Sequence, residues 1–158
     1  LAPRGGPAHL EAVIEVLARA VPSGRAGLTG ACRDAAERLG RSAALYAISD
    51  FLDEEEEKLD LFPVLRARSV LPRLVHVLHP DEVDLPFDRT LRFIDLEGPG
   101  SLTADPDALR AAYAAEIRTY VEGLMARASA SGVPYVLVRS AEEAGRRMDS
   151  VLRSREGR

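Results

Sequence analysis

Ser49 and Asp50 stand together where an apolar run ends, in the string YAISDFLD. A hydroxyl and a carboxylate at the end of a strand are hard oxygen donors of the kind that Mg²⁺ or Mn²⁺ takes, commonly with several waters retained. The same pair is a common turn and helix-start signal, because both side chains accept hydrogen bonds from the backbone that follows. The residues alone leave both readings open. Thr29, at the start of the preceding helical segment, supplies a candidate third oxygen. The five carboxylates at residues 53–57 are read as a solvated helix approach, where water and the helix dipole both tolerate negative charge.

Other chemistry is poorly served. His76 and His79 are three apart in one apolar stretch, which on a strand sends them to opposite faces, and His9 is remote, so no zinc ligand set forms. The scarcity of histidine also argues against a Ser-His-Asp or Cys-His centre, and no glycine-rich phosphate loop with its lysine occurs. Cys32, the sole cysteine, can make no intrachain disulfide, which suits a reducing, cytoplasmic setting. It reads as a small buried apolar residue rather than a nucleophile.

The elements that must position these residues follow from periodicity. From Pro7, the spacing of Leu10, Val13, Ile14, Leu17 and Val21 predicts an amphipathic helix with one buried face, stopped at Pro22-Ser23-Gly24. Thr29 sits where an N-cap would, before a helix whose Cys32, Ala35, Ala36 and Leu39 share one side and which Gly40 ends. Residues 43–48 are almost continuously apolar, as in a parallel strand covered on both faces. Asp60 can cap a short helix carrying Leu61, Val64 and Leu65, with Pro63 tolerable in its first turn.

A second strand is expected over residues 73–79. A third over residues 90–96, with Leu91 and Phe93 to one side, belongs to a hairpin or irregular excursion without helix period. Asp105 and Pro106 then open a long helix with the stripe Leu109, Tyr113, Ile117, Tyr120, Leu124 and Ala128, which ends at Gly132. A strand in PYVLVRS and a helix over residues 141–154, using Ala144, Met148, Val151 and Leu152, close the chain. Such alternation predicts an α/β fold with a mainly parallel sheet flanked by helices, whose ligands bind beyond the carboxyl ends of strands.

The whole fits one domain of 158 residues, with 46% hydrophobic and 29% charged residues and a net charge of −4. Basic residues are spread out, so the footprint of a nucleic-acid binder is missing. No apolar run approaches the roughly 18 residues of a membrane span. All basic residues but Lys58 are arginine, a composition that speaks of a GC-rich genome more than of function.

In combination, YAISDFLD, RLVHVLHPDEVDLPF, LRFIDLEG, DPDALRAAYAAEI with its mid-helix Tyr113, and GVPYVLVRSAEEAGRRMDSVLRSR are specific. Their order over residues 24–155 resembles the C-terminal part of the bacterial von Willebrand factor A-like family catalogued as domain of unknown function number fifty-eight. The resemblance implies a Rossmann-like, doubly wound fold and a metal-ion-dependent adhesion site built from three loops. Those loops carry an Asp-x-Ser-x-Ser, a Thr and an Asp, so Thr29 matches the second and Asp50, with Ser49, the third. Gly30 departs from the Asp that more often follows the Thr.

No Asp-x-Ser-x-Ser occurs, so the resemblance implies a partial domain over residues 1–158 that lacks the first strands. Residues 43–48 would then form an exposed sheet edge. We expect the sheet to be completed by an N-terminal segment of a longer protein, by a protein partner or by a homodimer. The resemblance further implies a non-enzymatic interaction module, working with a MoxR-type AAA+ ATPase in chaperone-like maturation. The expected location is cytoplasmic, or membrane-tethered through a segment outside these residues. Mg²⁺ or Mn²⁺ would bind weakly or not at all to this chain alone. Two alternatives stand beside it. One is a Mg²⁺-dependent phosphate hydrolase using Asp50 and Asp53 with Asp81, Glu82 or Glu97. The other is a metal-free structural subunit.

Overall fold

Eleven elements form in the computed structural model, which describes residues 1, 4–21, 27–40, 43–52, 61–95 and 99–153. In chain order they are α1 (Pro7–Arg19), α2 (Leu28–Arg38), β1 (Ala44–Ser49), α3 (Leu61–Ala67), β2 (Leu71–Val77), α4 (Pro80–Asp84), β3 (Leu91–Ile94), β4 (Ser101–Ala104), α5 (Pro106–Ala130), β5 (Tyr135–Val138) and α6 (Ala141–Arg153). β1, β2 and β5 form a parallel sheet with β2 in the centre, while β3 and β4 make a separate antiparallel hairpin. The mixed α/β architecture with a mainly parallel, helix-flanked sheet is the one that the alternation predicts.

Strand alternation divides the core in two. Ala47 and Leu74 face Cys32 and Ala36 of α2, Phe62 and Leu65 of α3, and Leu124 and Ala128 of α5. Val75, Val136 and Val138 point the other way, where Tyr46, Ala144 and Met148 pack against them. Arg73, buried beside this second cluster, lays its guanidinium over the Tyr46 ring at 5.8 Å.

The long helix is set by its ends. Asp105 Oδ1 accepts from the Asp107 amide at 3.1 Å, and Pro106 fills the first turn. At the other end Gly132, with φ +63, lets its own amide reach the Ser129 carbonyl and the Val133 amide reach that of Ala128, a Schellman closure. Arg66 of α3 caps the same turn from outside, donating to the Ser131 and Gly132 carbonyls at 2.7 and 3.0 Å.

Several expectations are corrected. β1, the edge strand of its sheet among the described residues, is not covered on both faces: only Ala47 is buried, and Ile48 is 64% exposed. The second face of the sheet is roofed by α6, which packs on β5 and leaves the β1 side open. α1 keeps its helical period but buries no residue, so Leu10, Ile14 and Leu17 stay exposed. In α3, Phe62 and Leu65 are buried and Val64 is half exposed, since a two-turn helix turns only one narrow stripe inward.

β2 begins two residues earlier than expected and ends before His79, which instead caps α4. There His79 Nδ1 accepts from the Asp81 amide and the Glu82 carboxylate accepts from the His79 amide at 2.6 Å. A helix of five residues is too short to reveal a period. In the hairpin, Leu91 and Phe93 face inward as expected, with β4 as the unforeseen partner. Outside the described residues lie the stop at Pro22-Ser23-Gly24, the carboxylates at 53–57, Asp60, Leu96, Glu97, Ser154 and the side chains of Val151 and Leu152. No helix among the described residues is long and apolar enough to cross a membrane.

Candidate functional site

At the carboxyl ends of the strands, register aligns Ser49 of β1 with His76 of β2, and His76 with Leu137 of β5. The chain leaves β1 through Asp50 and then Phe51, whose φ of +56 is left-handed. Local hydrogen bonds shape this exit. Ser49 Oγ accepts from the Phe51 amide at 3.0 Å and Asp50 Oδ1 accepts from the Leu52 amide at 3.1 Å. The Ser49 hydroxyl also lies 3.4 Å from Asp50 Oδ1. Both side chains therefore do the turn-forming work open to them, while Asp50 itself remains exposed to solvent.

Beneath that turn is a polar-aromatic cluster. Phe51 and His76 are fully buried, their rings edge-to-face with centroids 5.4 Å apart. Tyr120 of α5 donates its hydroxyl hydrogen bond to the Phe51 carbonyl. Tyr135 of β5 lies with its hydroxyl 2.7 Å from His76 Nδ1, and both tyrosine rings meet the imidazole edge-on. A non-glycine residue in the left-handed region costs about 1 to 3 kcal/mol and persists only where its surroundings over-determine it. Here the amide, the carbonyl and the ring of Phe51 are each held.

Burial sets the protonation of this cluster. It pushes the Tyr135 hydroxyl up to about 12, with the neighbouring Tyr120 adding to the effect, so Tyr135 keeps its proton in its hydrogen bond with Nδ1. The other ring nitrogen, Nε2, is buried without a hydrogen-bond partner among the described residues. Burial holds the His76 pKa below its usual value, opposed by the Asp50 backbone carbonyl and the Asp50 carboxylate. Nothing in the spacing of His76, Tyr120 and Tyr135 gathers them into one cluster, since Tyr120 reads as part of an apolar helix stripe and the few histidines fit neither a zinc site nor a catalytic triad. For His76 alone, the alternation with Leu74 on β2 was an available signal.

Thr29 is the second residue of α2, not its cap, because Gly27 already takes the extended cap conformation. Its Oγ1 is buried with no hydrogen-bond partner among the described residues, so it is bonded to neither Ser49 nor Asp50. The structure thus joins Ser49 to Asp50 and leaves the Thr29 hydroxyl an orphan on the adjoining helix. Asp81 and Glu82 occupy the first turn of α4, where Glu82 is engaged by His79. Asp53 and Glu97 lie outside the described residues. Among the described residues no three of His, Cys, Asp and Glu are grouped to hold a metal. Cys32 is buried and its thiol pushed up by burial, as befits a packing residue.

Comparison with known proteins places the chain. The family described as "Protein of unknown function DUF58" matches residues 1–122, and the chain belongs to it. This match starts ahead of the resembling blocks and ends within α5. No curated protein matches. Among solved structures, the chain is similar to the "conserved hypothetical protein BatB" of Bacteroides thetaiotaomicron at 15% identity and a TM-score of 0.53, over 91% of this chain and 67% of that one. At such identity the likeness concerns the fold.

Proposed function

We propose that this member of the DUF58 family is a non-enzymatic protein-protein interaction module of von Willebrand factor A-like type. Its contact to a partner is completed by a divalent cation when enough oxygen donors are present. The observation that carries the reading is the solvent-exposed Asp50 carboxylate at the carboxyl end of a parallel edge strand, 3.4 Å from the Ser49 hydroxyl. The orphaned Thr29 hydroxyl fits a group that takes oxygen donors. A hard cation wants about six such donors, and Asp50, Ser49 and Thr29 offer three, so water and a partner carboxylate must supply the rest. The side of β1 that is unpaired among the described residues, with Ile48 exposed, offers the same partner a strand to pair with. The partner fitting the family resemblance is a MoxR-type AAA+ ATPase, and the setting is cytoplasmic.

Calorimetric titration of this chain with Mg²⁺ or Mn²⁺ is the test. Binding no tighter than about millimolar is expected, because an under-coordinated hard cation keeps its water. Micromolar binding by the chain alone contradicts the reading. A second reading, the metal-free structural subunit, is favoured by the hydrogen bonds that Ser49 and Asp50 accept from their own turn. It predicts that an Asp50→Ala variant still captures the partner, where the first reading predicts loss.

A further inference from the structure

We infer that Phe51 is a latch that ties the presentation of the Asp50 carboxylate to the position of α5. Every group of this residue that could relax its left-handed backbone is restrained from a different direction. Its amide donates to Ser49 Oγ, its carbonyl accepts from Tyr120 of α5, and its fully buried ring stands edge-on to His76 of β2. His76 in turn is held by Tyr135 of β5.

Residues 50 and 52 flank the latch and are joined across it by the bond from the Leu52 amide to Asp50 Oδ1. If Phe51 left the left-handed region, the two peptide planes beside it would rotate and that bond would break, swinging the carboxylate. Tyr120 stands on a continuous 25-residue helix, so displacement at either end of α5 is felt at the Phe51 carbonyl. Both ends have handles. Arg110 of α5 donates to the Leu85 and Phe87 carbonyls beyond α4 at 3.1 and 2.7 Å, and Arg66 of α3 grips the carbonyls after its last turn. The latch stands whether or not Asp50 holds a cation.

Tyr120→Phe keeps the ring and removes the hydroxyl. By amide hydrogen exchange in the full chain, Phe51 and Leu52 should exchange about tenfold faster, while Val75 of β2 and Val136 of β5 change by less than about twofold. The Asp50 carboxyl carbon resonance should move and that of Asp107 should stay. Unchanged protection at residues 51 and 52, or a loss shared equally with β2 and β5, overturns the latch. Should the variant not fold, the native chain decides: Phe51 and Leu52 amides must exchange at least about a hundredfold more slowly than the Gly100 loop amide. Parity with that loop overturns the proposal equally.

Discussion

Protonation of His76 cannot be absorbed quietly. Its Nδ1 is hydrogen-bonded with Tyr135, its Nε2 is buried, and the Phe51 and Tyr120 rings and the Asp50 carbonyl and carboxylate lie around it. Because burial lowers its folded pKa, the unfolded chain binds the proton more readily. The stabilising contribution is whole above about pH 6.5, the ordinary histidine value, and is lost as pH falls through the depressed folded pKa. Urea unfolding midpoints should therefore drop from pH 7.5 to pH 5, and His76→Phe should flatten the drop. Equal slopes in the two proteins would remove His76 as the cause. Gly132 poses a steric question instead. With φ +63, and with an added Cβ only 2.1 Å from Arg66 Nη1, Gly132→Ala should cost about 1 to 2 kcal/mol in chemical denaturation. A loss below measurement error would mean that the turn relaxes freely.

Among the elements, α5 earns its place unevenly along its length. The stripe read from spacing is real, yet Leu124 and Ala128 are buried while Leu109, three turns or more earlier, is 47% exposed. Truncating Leu124 to Ala should destabilise by about 2 to 4 kcal/mol, whereas Leu109→Ala should stay within about 1 kcal/mol. Equal effects would contradict the packing of the C-terminal half against the sheet. The contrast with α1 is instructive, because its apolar period is as regular and it buries nothing among the described residues. Periodicity tells which face of a helix is apolar; the neighbour that covers the face is a separate matter.

For the molecule as a whole, the consequential feature is the open side of β1. Parallel strands usually lie inside a sheet, and an exposed apolar one invites pairing. Ile48→Lys should leave stability within about 0.5 kcal/mol, since the side chain is largely solvated, and should reduce concentration-dependent association in sedimentation velocity. A native chain that stays monomeric at every concentration would exclude pairing between copies through this edge.

Local signals in the sequence suffice for the order of the elements apart from α4 and β4, for the start of α5 at Asp105-Pro106 and its end at Gly132, and for the place of Asp50 after a strand. These follow from propensity, capping and periodicity, which act over a few residues. Tertiary packing was needed to show that α6 leaves Ile48 exposed, that Thr29 lies within a helix, and that His76 meets Tyr135 from 59 residues away. It also decided that Phe51 takes a backbone shape its own sterics oppose. Such a conformation holds because Tyr120, 69 residues on, supplies a donor to its carbonyl, and no local rule reaches that far.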